Sequence, residues 1–181
     1  MKTKLFILVL ALQTAWMLGT AVTQERVLRV GRVVLLETQP VDPRDLLRGD
    51  YVILGYKIGD VTATLFTPPV TGALPSGQTV YVALARHGEF HEVVRASTEP
   101  LTAVDGEVVL KGRNDERRWW SSRTNSVHVE YGLERYYVHE GTGNPRGKLT
   151  VQAAVSPSGH AVIKQVFVDG QPYAEAMKKM E

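Results

Sequence analysis

The chain has 181 residues, 44% hydrophobic and 22% charged, a balance that buries one core and excludes a disordered protein. Lys and Arg number 21 against 19 Asp and Glu, and with Lys2 and Lys4 set aside the segment from Val22 onward carries 19 of each sign, so no general basicity draws it to nucleic acid. The lack of cysteine excludes disulfides, thiolate catalysis and cysteine-ligated metal.

The first element is a hydrophobic helix. Leu5 to Val22 is apolar apart from Gln13, Thr14 and Thr20, and no charge follows until Glu25. As a helix the run is roughly 27 Å long at about 1.5 Å per residue, close to the hydrocarbon thickness of a bilayer. Lys2 and Lys4 on the short side favour N-inside, C-outside, opposed by Arg26, Arg29 and Arg32, one of which Glu25 offsets. Gly19-Thr20-Ala21 also offers the small residues of a signal cleavage site after Ala21. The expectation is a membrane anchor over residues 1–24 and a domain over residues 25–181 facing the periplasm or cell exterior. The alternative is a secreted chain cut near Ala21.

From Arg32 onward short β-branched and aromatic runs alternate with Gly, Pro, Asn and Asp, which predicts a mainly β, single antiparallel domain, a sandwich or partly open barrel. Arg32 to Thr38 is the first strand. Asp42, Pro43, Asp45 and Gly49 mark one helical turn with its N-cap, first position, acidic first turn and αL stop. Asp50 to Gly59 reads as one near-continuous apolar strand at the centre of a sheet. Thr67 to Gln78 is a Pro- and Gly-rich surface loop. Thr79 to Arg86 and Phe90 to Ala96 form a hairpin across His87-Gly88. Glu107 to Lys111, Ser126 to Tyr131, Tyr136 to Val138, Leu149 to Val155 and Ala161 to Val168 complete the strands, the last two joined by Ser156-Pro157-Ser158-Gly159. Val127, Val129 and Tyr131 alternate with His128 and Glu130, so one face is apolar.

Familiar catalytic templates do not fit. His87 and His91 have the spacing of a zinc-binding helix, but Gly88 puts a turn between them and they diverge. Gly141 to Lys148 is glycine-rich and ends in Gly-Lys, yet its spacing is wrong for phosphate and it reads as a loop. No Gly-x-Ser-x-Gly elbow is present. Arg117-Arg118-Trp119-Trp120 suits either the sheet edge or a lipid interface. No catalytic residue, metal site or cofactor is assigned.

Two blocks carry a family resemblance. Gly49-Asp50-Tyr51-Val52-Ile53-Leu54-Gly55-Tyr56, led by Pro40 to Arg48, matches a GDYxxLxY signature. Tyr131-Gly132-Leu133-Glu134-Arg135-Tyr136-Tyr137-Val138 followed by Glu140-Gly141 resembles the second block of the same family, with His139 where members commonly carry Pro. The chain resembles GDYxxLxY-domain proteins over essentially its whole length. The resemblance implies a bacterial membrane-associated protein, often encoded near multi-pass membrane proteins, which makes such a protein the expected partner; it implies no activity.

Strand alternation places Asp50, Val52, Leu54, Tyr56 and Ile58 on one face and Tyr51, Ile53 and Gly55 on the other. In an architectural reading Asp50 caps a turn, Arg135 pairs with Asp50, and the tyrosines pack with their hydroxyls satisfied. In a functional reading Arg48, Asp50, Tyr51, Tyr56, Glu134, Arg135 and Tyr136 gather at a site for a ligand or partner. The architectural reading is favoured. The expected function is non-enzymatic binding or scaffolding of a membrane-protein partner or small ligand; the alternative is an extracytoplasmic hydrolase using the acids and arginines of the two blocks.

Overall fold

The hydrophobic helix outruns its apolar segment. In the computed structural model, which describes residues 2–39, 51–70, 74–115, 125–138 and 147–178, α1 spans Lys2–Val30. Past Val22 the residues remain good helix formers, and the Glu25–Arg29 pair at 2.6 Å adds an i,i+4 contact on the exposed face. Gly31 stops the helix, its N–H bonding Val27 O at 2.8 Å. A Cβ at Gly31 would lie 2.5 Å from Val27 O and 3.0 Å from Val155 O, so only glycine lets the helix end lie this close to the sheet. The apolar part of α1 is exposed on all sides, whereas Val27 is buried against the domain.

Among the described residues twelve short strands follow: β1 (Arg32–Gln39), β2 (Tyr51–Ile53), β3 (Gly55–Tyr56), β4 (Asp60–Thr62), β5 (Thr79–His87), β6 (Phe90–Ser97), β7 (Val108–Asn114), β8 (Ser126–Glu130), β9 (Arg135–Tyr137), β10 (Leu149–Val155), β11 (Ala161–Val168) and β12 (Gln171–Pro172), and after them a helix α2 (Tyr173–Lys178). They form two five-stranded antiparallel sheets, β12-β11-β10-β1-β3 and β4-β8-β7-β5-β6, and a two-stranded ribbon, β2-β9. The sheets curl into a nearly closed barrel, the mainly β architecture expected. The seam lies between β1 and β6. There a side chain bridges the gap, His91 Nδ1 accepting the Leu35 N–H at 3.2 Å.

Inside, Val34 and Leu36 of β1, Val151 and Val155 of β10, Val80, Val82 and Leu84 of β5, and Val129 of β8 are buried in one continuous core. The alternation read for β8 holds, with Val127, Val129 and Tyr131 inward.

The predicted single strand over Asp50 to Gly59 is a correction. After β2 the chain breaks at Leu54, whose N–H bonds Glu134 O at 2.8 Å, resumes as β3 beside β1, and turns through a 3-10 segment at Lys57–Gly59 into β4 of the other sheet. The run is largely apolar because it crosses the barrel corner between two sheets, which buries Val52, Leu54, Tyr56 and Ile58 while leaving Tyr51 and Ile53 half-buried. The β5–β6 loop is Gly88-Glu89, one residue later than predicted, with His87 opposite Phe90 and Arg86 opposite His91. His87 and His91 therefore lie on opposite faces, as expected. The C-terminal hairpin and α2 were not anticipated. Asp169 and Gly170, at φ of 49° and 79°, make the tight β11–β12 turn, and α2 then buries Tyr173 and Met177, one turn apart, against β11.

The predicted turn over Asp42 to Arg48, its stop at Gly49, Arg117 to Trp120 and residues 141–146 lie outside the described residues.

Candidate functional site in the two tyrosine-rich blocks

The two blocks meet in space. β2 and β9 pair antiparallel with Tyr51 opposite Tyr137, Val52 opposite Tyr136 and Ile53 opposite Arg135. Below this ribbon, two buried phenols cross-link the segments reciprocally. Tyr56 donates its hydroxyl to Leu133 O at 2.8 Å, and Tyr131 donates to Ile58 O at 2.7 Å. The first block thus satisfies a carbonyl of the second, and the second satisfies that of Ile58, two residues beyond the first. Burial, with the Glu134 carboxylate second, pushes both phenols far above their usual pKa, so they stay protonated donors.

Glu134 serves the turn between them. Its Oε1 accepts the Tyr131 N–H at 2.6 Å while its backbone carbonyl accepts from Leu54, and Gly132 at φ 81° supplies the left-handed residue the turn requires. Tyr136 is half-buried with its ring edge-on to Tyr173, centroids 5.3 Å apart. The rest of the cluster faces outward. Arg135 is exposed, with its guanidinium 5.5 Å from the centre of the half-buried Tyr51 ring. Tyr137, 70% exposed, is the cross-strand partner of Tyr51, its ring 6.1 Å from that of Tyr51.

The structure therefore brings together Tyr51, Tyr56, Glu134, Arg135 and Tyr136 of the predicted residues, but in two layers: Tyr56 and Glu134 inside on backbone partners, Tyr51 and Arg135 outside. Arg48 and Asp50, and with them the expected Arg135–Asp50 pair, lie outside the described residues. Tyr137 was missed, although alternation with Tyr136 already put it on the opposite face. Also unforeseen is a half-buried pair facing the neighbouring corner, His128 Nδ1 to Asp60 Oδ1 at 2.8 Å across β4 and β8. No local signal links residues so far apart in the chain. Among the described residues no group of three or more His, Cys, Asp or Glu is placed to hold a metal ion.

A family model described as GDYXXLXY protein matches residues 13–166, a range that takes in both blocks and most of the chain. The chain belongs to the GDYXXLXY family. Neither the curated proteins nor the solved structures contain a match to it. In this GDYXXLXY protein the last tyrosine of the signature, Tyr56, is a buried cross-link, and the first, Tyr51, is part of an outward aromatic face.

Proposed function

We propose that the protein is a membrane-anchored, extracytoplasmic β-domain that binds or scaffolds a multi-pass membrane protein without catalysing a reaction. The observation that carries this is the division of the two blocks into an inner layer bonded to backbone and an outer layer of Tyr51, Arg135 and Tyr137. Tyrosine and arginine anchor protein interfaces because they bring large contact area and directional hydrogen bonds at modest entropic cost. The hydrolase alternative needs an available acid and hydroxyl from the blocks, and the backbone bonds of Glu134 and Tyr56 favour the binding reading. A helix of 29 residues with its apolar window fully exposed supports anchoring; the flank of Lys2 and Lys4 supports an outward-facing domain, with secretion after cleavage near Ala21 as the alternative.

Site-specific photocrosslinking from position 137 in cells tests it. A crosslinked adduct with an integral membrane protein should form and should be lost on Arg135→Gln, while the melting temperature stays at the parent value. An adduct insensitive to Arg135→Gln, or none, would remove the proposed face. Alkaline extraction of membranes reports anchoring separately.

A further inference from the structure

A second feature lies at the opposite end of the barrel from the tyrosine face. β1 starts at Arg32 opposite Val155 and runs along β10 until Thr38 and Gln39 meet β3, so the β10–β11 turn and the β3 corner mark opposite ends. The turn end is the one beside α1. Gln24 Oε1 lies 3.3 Å from His160 Nε2, and Gln24 is only two residues, about 3 Å, beyond Val22, where the apolar run stops. If Leu5 to Val22 fills the hydrocarbon core, the Ser156–His160 turn is set in the headgroup layer, roughly 5–8 Å deep on each side of a bilayer.

A cleft of about 670 Å³ opens at this end, within the size range of ligand sites. Its walls combine apolar groups, Val30, Leu101, Val155 and Pro157, with the cations Arg32 and Lys111. The Arg32 guanidinium donates to the Glu107 backbone carbonyl at 2.7 Å, and the Lys111 N–H donates to Gly159 O at 2.9 Å, which ties the β7 wall to the turn. The acid in the cleft, Glu107, is already neutralised. Arg95 holds its carboxylate at 2.6 Å and the Val104 N–H at 3.0 Å, which keeps it well below the usual carboxylate range. Neither Arg32 nor Lys111 has a carboxylate partner among the described residues, so the cleft presents uncompensated positive charge beside apolar wall at headgroup depth.

We propose that this cleft binds the headgroup of an anionic phospholipid, with Arg32 and Lys111 as the charge partners of its phosphate and the apolar wall against its glycerol and first acyl carbons. The proposal rests on the reading of α1 as a membrane span. Occupancy would fix the domain against the bilayer and hold the tyrosine face outward, one barrel length away.

The test is native mass spectrometry of the full chain in detergent, titrated with dihexanoyl-phosphatidylglycerol, dihexanoyl-phosphatidylcholine and inorganic phosphate. Phosphatidylglycerol should bind at least tenfold more tightly than phosphatidylcholine. Arg32→Gln and Lys111→Gln should each weaken it about fivefold, and together about twenty-five-fold, the change expected for removing a basic residue near an anionic lipid surface. Arg86→Gln, which alters an exposed cation outside the cleft, should change nothing. Equal binding of the two lipids, equal sensitivity to Arg86→Gln, or displacement by equimolar inorganic phosphate would overturn the proposal. Alkaline extraction of the same variants reads the anchor independently. A chain that washes off membranes but still binds phosphatidylglycerol through Arg32 and Lys111 defeats the anchor and keeps the cleft; an integral chain that binds both lipids alike does the reverse.

Discussion

Removing the hydroxyl of Tyr56 or Tyr131 isolates the cross-link between the two family blocks. Tyr56→Phe keeps the ring in the core and deletes only the bond to Leu133 O; Tyr131→Phe deletes only the bond to Ile58 O. Each leaves an acceptor in a buried stretch without its donor, which costs about 1–3 kcal/mol, more than the roughly 1 kcal/mol of an average hydrogen bond. For a domain of this size about 2 kcal/mol corresponds to a fall of about 4–8 °C in melting temperature. Both bonds hold the same segments, 56–58 and 131–133, together. Once one is cut the segments can separate, and the second loses part of its value. The double variant should therefore fall short of the sum of the singles by about 0.5–3 kcal/mol. Thermal melts followed by circular dichroism on the parent, both singles and the double provide the full cycle, with exposed Tyr137→Phe as the unchanged control. Single variants melting within about 1 °C of the parent, or strictly additive losses, would refute the reciprocal cross-link.

Other expectations follow from the same geometry. Tyr56→Ala should cost about 3–5 kcal/mol and half-buried Tyr51→Ala much less; equal losses in urea unfolding would put the register in error. A Cβ at Gly112 would lie 2.4 Å from Val129 Cγ1 and 2.7 Å from Glu130 O, so Gly112→Ala should destabilise by about 1–3 kcal/mol, and an unchanged melt would contradict the close approach of β7 and β8. His91 accepts the Leu35 N–H only while Nδ1 is unprotonated, and burial first, then Arg86 opposite it on β5 and Arg32 on β1, hold its pKa below the ordinary 6.5. The unfolded chain therefore takes up this proton first. Stability from the seam is complete above about pH 6.5 and is lost as pH falls through the folded-state pKa. The stability advantage of the parent over His91→Phe should shrink on acidification from pH 8 to 5, and a constant difference would show that the seam does not depend on the neutral ring.

What the sequence determined by itself is whatever depends on neighbours along the chain. The apolar length of Leu5 to Val22, the β5–β6 and β10–β11 hairpins and the inward alternation of Val127, Val129 and Tyr131 were legible because period and turn chemistry are local. Asp169-Gly170 was equally legible as a tight-turn pair, and the β12 hairpin and α2 after it went unread. Tertiary structure alone decided the rest. Near-continuous apolarity over Val52 to Ile58, broken by Lys57, signals extensive burial but not whether a strand runs straight through a sheet or crosses a corner; the Leu54 N–H to Glu134 O bond marks the break. Alternation already set Tyr56 on the face of Val52, Leu54 and Ile58 and Tyr51 on the other, but the partners each meets, Leu133 O for Tyr56 and Arg135 for Tyr51, came only with the pairing of β2 with β9. The cleft draws its walls from α1, β7 and the β10–β11 turn, segments separated by up to most of the chain. Its charge is invisible in a sequence that is nearly neutral, because it arises only when the fold pairs Glu107 with Arg95 and leaves Arg32 and Lys111 beside them.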